Sequence, residues 1–414
     1  MVNSEIEIMS PAGNFESLIA AIQGGANSVY FGVGSLNMRS HSANNFTKES
    51  LNEIVKICRE AGVKSYLTLN IVLYDEDLAE MGRTVDEAKR AGVSAIIASD
   101  MAAILYAREA GVEVHISTQL NVSNIASLRY HAQFADVIVL ARELSLFQVK
   151  EIHEAIEREQ IKGPSGELVR LELFCHGALC MAVSGKCYLS LHEYNASANR
   201  GSCYQLCRRG YEVTDLETGS SLEVDNKYIM SPKDLSTIAF VDKIIESGIR
   251  VFKIEGRARA PEYVKNVTRA YRRAADAVCS GEYTPELVKS LQDSLSEVFN
   301  RGFWDGYYQG AKLGEWSDVY GNRATRKKQY VGKVTNFFTN LNVAEVLIET
   351  GELCVGDEIV VNGPSTGVCE LKPEEIRVDL KPVPKAVKGE FCSIAVPEGV
   401  RLRRSDKIYL WING

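Results

Sequence analysis

Ala91-Gly92-Val93, followed by Ala95-Ile96-Ile97-Ala98, closes an amphipathic helix on a glycine and opens a short apolar strand. The phrase recurs as Gly24-Gly25-Ala26 before Ser28-Val29-Tyr30-Phe31, and as Ala61-Gly62-Val63 before Tyr66-Leu67-Thr68-Leu69. It returns as Ala110-Gly111-Val112 before Val114-His115-Ile116, and as Ser247-Gly248-Ile249 before Val251-Phe252-Lys253-Ile254. Each glycine suits the left-handed position that ends a helix. Short apolar strands alternating with helices indicate a parallel sheet covered on both faces. Eight strands are predicted, near 5–9, 28–32, 64–69, 95–98, 113–117, 135–140, 169–174 and 250–254. Helices are predicted near 15–24, 47–61, 76–91, 100–110, 123–133, 144–158, 233–247 and 261–280. Eight such units favour an α/β fold closed as a TIM-like (β/α)8 barrel. No Gly-x-Gly-x-x-Gly follows strand one, which argues against dinucleotide binding.

One connection is abnormal. More than fifty residues, Cys175 to Met230, separate strand seven from helix seven where a few suffice. That loop leaves the C-terminal face, where such barrels place their chemistry. Its second half, Tyr211 to Met230, alternates like a hairpin about Glu217-Thr218-Gly219-Ser220. Ser231-Pro232-Lys233-Asp234 reads as the capped start of helix seven, with proline at its first position. From Tyr330 the apolar period changes to two, which suggests a small β-barrel. The expected domains are therefore 1–325, carrying an insertion at about 175–230, and 326–414.

Composition narrows the class. Of 414 residues, 45% are apolar and 24% charged, as in an ordinary globular enzyme. No apolar run approaches the ~18 residues of a membrane helix, and Met1-Val2-Asn3-Ser4-Glu5 lacks the positive start of a secretory signal. The expected location is cytoplasmic, with no membrane partner. The net charge of −7 gives nucleic acid no global attraction, so any such binding uses local patches.

A reducing compartment turns clustered cysteines from disulfides into metal or catalytic candidates. Five of ten cysteines fall between 175 and 207. From Cys180 the spacing is Cys-x6-Cys-x15-Cys-x3-Cys, through Cys187, Cys203 and Cys207. Four thiolates suit zinc or an iron–sulfur cluster. Only Cys203 and Cys207 resemble a zinc knuckle. Spacing alone leaves zinc, iron–sulfur and fortuitous clustering open.

His176-Gly177-Ala178-Leu179-Cys180-Met181-Ala182, Ser184-Gly185-Lys186-Cys187 and Asn199-Arg200-Gly201-Ser202-Cys203 closely resemble the signature of the collagenase-like U32 peptidase family. Met9-Ser10-Pro11-Ala12-Gly13-Asn14, Asn37-Met38-Arg39, Asn44-Asn45-Phe46, Ser231-Pro232-Lys233-Asp234-Leu235 and Lys253-Ile254-Glu255-Gly256-Arg257 match its other motifs. Within that family the chain looks most like the prephenate-dependent tRNA uridine-34 hydroxylases. The resemblance implies oxygen-independent formation of 5-hydroxyuridine at the wobble position, a tRNA anticodon stem-loop as partner and prephenate as co-substrate. It also implies a 4Fe–4S cluster on Cys180, Cys187, Cys203 and Cys207, and leaves Cys175 aside. Ser236 replaces the fourth cysteine of relatives that act on quinone rings. Ribosomal RNA, a quinone ring or a peptide remain alternative substrates. Against a peptidase, no His-Glu-x-x-His and no Gly-x-Ser-x-Gly occurs. A Cys–His nucleophile would use His176 beside Cys175 or Cys180.

Prephenate carries two carboxylates, which call for guanidinium or ammonium partners. Arg39, Arg142, Lys253 and Arg257 follow or end strands two, six and eight. Asn44, Asn70 and Gln119 are further substrate-binding candidates, and His176 and Glu255 are catalytic candidates, Glu255 chiefly by pairing with Arg257. For RNA, Arg323, Arg326, Lys327 and Lys328 form a basic linker, near the aromatics Trp304, Tyr307 and Tyr308.

Overall fold

The computed structural model describes residues 6–40, 46–219, 221–222, 230–310, 314–318 and 321–414. It begins with β1 (Glu7–Pro11), α1 (Phe15–Gln23), β2 (Ser28–Phe31), α2 (Leu51–Glu60), β3 (Lys64–Leu69), α3 (Leu78–Ala91) and β4 (Ala95–Ala98). Then come α4 (Met101–Glu109), β5 (Val114–Ile116), α5 (Ile125–His131), β6 (Val137–Val139), α6 (Leu146–Glu159) and β7 (Arg170–Gly177). The long connection holds α7 (Leu189–Tyr194) and the short pair β8 (Val213–Thr214) and β9 (Ser221–Leu222). After it follow β10 (Asp234–Ser236), α8 (Val241–Glu246), β11 (Val251–Ile254), α9 (Pro261–Ser280), α10 (Pro285–Ser296) and β12 (Phe303–Trp304).

Strands β1 to β7 pair in sequence order, and β11 closes the ring by pairing in parallel with both β7 and β1. The result is a closed eight-stranded parallel barrel with helices outside. β2, β4 and β6 are buried at every position, as strands covered on both faces must be. Asn14, Asp100, Asn124 and Ser145 cap the helices that follow them by accepting from a backbone N–H. Gly25, Gly62, Gly92, Gly111 and Gly248 all have φ between 68° and 94°, the left-handed ends read from the repeated phrase.

Two local expectations fail. β1 covers Glu7–Pro11 rather than 5–9, its ladder to β2 running on to Pro11 opposite Tyr30, and Glu5 lies outside the described residues. Ser231-Pro232 opens no helix. Instead β10 runs antiparallel to the end of β7, pairing Leu235 with Gly177 and Ser236 with His176, and parallel to β12. These long-range ladders satisfy the backbone that the local capping signal would have coiled, and the helix starts only at Val241. Of the expected hairpin, β8 and β9 pair as a short antiparallel ladder, while residues 220 and 223–229 lie outside the described residues.

The C-terminal part supplies β13 (Arg326–Phe338), β14 (Val343–Ile348), β15 (Glu352–Cys354), β16 (Ile359–Gly363), β17 (Gly367–Leu371), β18 (Ile376–Val378), β19 (Lys381–Val383), β20 (Lys385–Val387), β21 (Phe391–Ala395) and β22 (Lys407–Asn413). Eight of them form one antiparallel sheet ordered β17-β16-β22-β13-β14-β21-β18-β19. β14 alternates buried and half-buried residues, the period of two seen in the sequence. The sheet has its own core, around Val334, Val346, Ile359, Ile394 and Ile408. It docks on the barrel through α1 and α9. The Gln23 amide donates to Thr366 O (2.8 Å) and accepts from Val368 N (3.0 Å), and Lys328 pairs with Glu262 (3.0 Å). Among the described residues no helix is long and apolar enough to cross a membrane.

Candidate functional site

A cavity of about 590 Å³ opens at the C-terminal ends of the barrel strands, roofed by the segment after β7. Cys180, Cys187, Cys203 and Cys207 all line it. Cys180 is exposed and the other three are half-buried. Burial pushes the Cys207 thiol up to about 11; Arg208 pulls it back, while the neighbouring charges of Cys180, Cys203 and Cys187 raise it further. The four sulfurs thus share one electrostatic field. Among the described residues, no three His, Cys, Asp or Glu side chains converge tightly enough to hold a single metal ion. Cys175 is apart from them, fully buried, with its thiol donating to Lys253 O at 3.4 Å.

Arg208 holds the roof in place. Its guanidinium donates to Leu179 O (2.7 Å), Ser231 Oγ (3.0 Å) and Pro232 O, so it ties the stretch bearing Cys207 to the one bearing Cys180. The Asn121 amide donates to Ser184 O (2.9 Å), anchoring the Gly185–Cys187 turn to the barrel. Gly201, at φ 91°, packs against the loop after β2, where an added Cβ would lie 2.8 Å from Asn37 O. Neither Arg208 nor these contacts were singled out from the sequence, although Arg208 directly follows a predicted ligand.

Cations crowd the cavity wall. Arg39, Arg142, Lys253 and Arg257 all line it, as predicted, together with Arg259 and Arg301. Lys253 donates to Glu172 at 2.6 Å inside the barrel, and its ammonium stands 4.9 Å from the Tyr30 ring centre. Arg257 is buried and donates to Asn37 Oδ1 (3.0 Å) and Thr68 Oγ1 (2.9 Å). Arg142 stacks on Phe174 at 3.9 Å and donates to Ala178 O at 3.4 Å, while its buried Nε has no hydrogen-bond partner. Among the described residues, neither Arg142 nor Arg257 forms an ion pair with a carboxylate, and Glu255 is the one carboxylate lining the cavity. Asn70 and Gln119 line the same wall, bonded to each other at 3.5 Å and to Ser117.

Three expectations need correction. Glu255 pairs with Arg39, at 2.8 Å, and not with Arg257. Burial alone would raise its pKa, but Arg39, then Arg142 and Arg257, hold it at about 2. A carboxylate of that acidity is a charge anchor and not a base near neutral pH. His176 does not reach the cavity. The register of β7 against β11 slips at Cys175, so Phe174 faces inward and His176 faces out, against Tyr271, Tyr263 and Phe303. Burial, with Arg259 nearby, lowers its pKa to about 3, so it stays neutral. The basic linker is the start of strand β13. Arg326 is paired with Glu358, Lys328 with Glu262 and Arg323 with Asp318, which leaves Lys327 as the one of the four without an ion pair among the described residues. Trp304 and Tyr308 are buried, Tyr308 donating to Phe174 O at 2.8 Å, so neither offers a stacking face. Asn44 lies outside the described residues.

The profile of peptidase family U32 matches residues 13–318. A Porphyromonas gingivalis protein named collagenase is 60% identical over 406 residues, 98% of each chain. A Bacillus subtilis protein named tRNA hydroxylation protein P1 is 32% identical over 372 residues, 88% of this chain and 85% of that one. An Escherichia coli 23S rRNA 5-hydroxycytidine synthase is 34% identical over 319 residues, 75% of this chain and 46% of that one.

Proposed function

We propose that this chain, which belongs to peptidase family U32, is a cytoplasmic RNA-modifying enzyme that hydroxylates wobble uridine-34 of tRNA to 5-hydroxyuridine without molecular oxygen, using prephenate. The observation that carries the reading is the pairing of four thiols with a cationic cavity in which, among the described residues, Arg142 and Arg257 have no carboxylate partner. A dicarboxylate supplies the missing anions. Arg257 would take one carboxylate deep in the barrel and Arg142 the other under the roof. Arg39, placed by Glu255, and Lys253, placed by Glu172, set the remaining field. Phe174 and Ile97 present apolar walls to the ring, and Gln119 and Asn70 offer amides to its hydroxyl.

The same residues fit a 4Fe–4S cluster. The four cavity-lining thiols are the donor set that such a cluster takes. Arg208 beside Cys207 and Arg39 beside Cys203 offset thiolate charge. Bound by Cys180, Cys187, Cys203 and Cys207, such a cluster would supply electron transfer at the cavity mouth. Relatives named for tRNA and rRNA hydroxylation support an RNA substrate.

Peptide cleavage is the rival reading, because the 60% identical relative is named collagenase. Among the described residues no histidine is hydrogen-bonded to a cavity thiol, so a Cys–His nucleophile finds no support here. The test is anaerobic purification followed by nucleoside analysis of tRNA incubated with and without prephenate, beside a gelatin digest. Prephenate-dependent 5-hydroxyuridine with intact gelatin supports the proposal. Gelatin cleavage with unmodified tRNA overturns it.

A further inference from the structure

The roof of the cavity carries an unusual outer surface. Tyr188 is 69% exposed, Tyr204 56% and Tyr194 45%, all on or beside α7. Tyr188 lines the cavity mouth, while Tyr194 and Tyr204 pack edge to face at 5.1 Å, and Arg209 sits 5.6 Å over the Tyr194 ring. Three large rings left in water on one short segment contribute nothing to the core. Their charge setting is equally distinct. Residues 178–211 hold four Lys or Arg against one acidic residue, a net of +3 in a chain of net −7. Arg200 is paired with Asp77, but Lys186 and Arg209 are exposed and Arg208 spends its hydrogen bonds on uncharged oxygens, so among the described residues these three charges stay uncancelled by ion pairs.

We infer that this tyrosine and arginine rim is the RNA-docking surface, and that it takes unpaired nucleotides rather than duplex. Exposed rings accept base faces, which only unstacked nucleotides present, while interleaved cations hold the phosphates between them. Tyr188 at the mouth then stands where a nucleotide passes from rim to cavity. The sequence-based candidate around 323–328 is bound up in ion pairs, whereas the rim is open. This inference rests on the proposed RNA substrate.

The experiment measures anisotropy of a labelled RNA stem-loop, and of a fully paired duplex of equal length, with the full-length protein. Wild type should bind the stem-loop more tightly. Tyr188→Ala and Tyr204→Ala should each weaken it by about tenfold, the usual worth of one stacked base, and Arg209→Ala should reduce the salt dependence. Tyr188→Phe and Tyr204→Phe keep the ring and should keep the affinity, which separates stacking from misfolding. Equal binding by wild type and both alanine variants would overturn the rim while leaving the RNA reading intact. Absence of RNA binding by wild type would overturn both. Gelatin peptides binding to the rim in place of RNA would overturn the inference in favour of a protein partner.

Discussion

Arg39 donates to Glu255 at 2.8 Å although 216 positions separate them, and this pair joins the loop after β2 to the end of β11 across the cavity wall. Both partners are mostly buried, with 30% and 14% of their side chains exposed. Glu255→Gln leaves Arg39 without its counter-charge and should cost about 2 kcal/mol of stability, between the values for surface and buried pairs. The folded-state pKa of Glu255 is depressed, from 4.5 to about 2. Its stabilisation is therefore present above pH 4.5 and lost as pH falls toward 2. Denaturant melts across that range should show a shallower acid loss in Glu255→Gln than in wild type.

Prephenate affinity should depend on Arg142 and Arg257, two of the cavity guanidiniums that lack a carboxylate partner among the described residues. Arg257→Ala and Arg142→Ala should each weaken binding roughly 10- to 100-fold, the scale of a lost charge-assisted hydrogen bond. Arg257→Lys should recover little, since an ammonium that held Asn37 and Thr68, as Nη1 does, would lack the planar guanidinium's further N–H groups for a carboxylate. Calorimetric titration of each variant checks this; unchanged affinity in both alanine variants would refute the assignment.

His176 should prove structural. His176→Phe should leave prephenate affinity unchanged while lowering Tm, through loss of the 3.4 Å contact with Tyr271. The unfolded histidine takes up a proton near 6.5 and the folded one near 3. Wild-type stability therefore declines as pH drops from 6.5 toward 3, because the unfolded chain binds more protons. The variant should lose that component, which stability curves at successive pH values would reveal.

Gly201→Ala tests the seating of the roof. The left-handed backbone and the approach of Asn37 O together should cost ~1–3 kcal/mol. The expected readout is a lower Tm with faster loss of bound iron, while prephenate contacts deep in the barrel persist.

Much of this was legible in the sequence. Gly92 followed by Ala95–Ala98 carries its meaning locally, as a helix end and a strand, so the barrel could be read by repetition. The four cysteines and the cations at strand ends were visible for the same reason. What escaped depends on distant chain segments. Pro232 promised a helix until Trp316 bridged it and β7 and β12 took Asp234–Ser236 into a sheet. The slip at Cys175 that turns His176 outward exists only in the register of β7 against β11. The basic run at 326–328 looked free because Glu262 and Glu358, which cancel it, lie far along the chain.

The central claim is that Cys180, Cys187, Cys203 and Cys207 hold one redox cluster and that Cys175 does not. Iron and acid-labile sulfide per chain, measured on anaerobically purified wild type and on the five single Cys→Ala variants, tests it most directly. The account predicts iron and sulfide in wild type and Cys175→Ala, and their loss in each of the other four. Iron retained after removal of any of the four, or lost from Cys175→Ala alone, would contradict it.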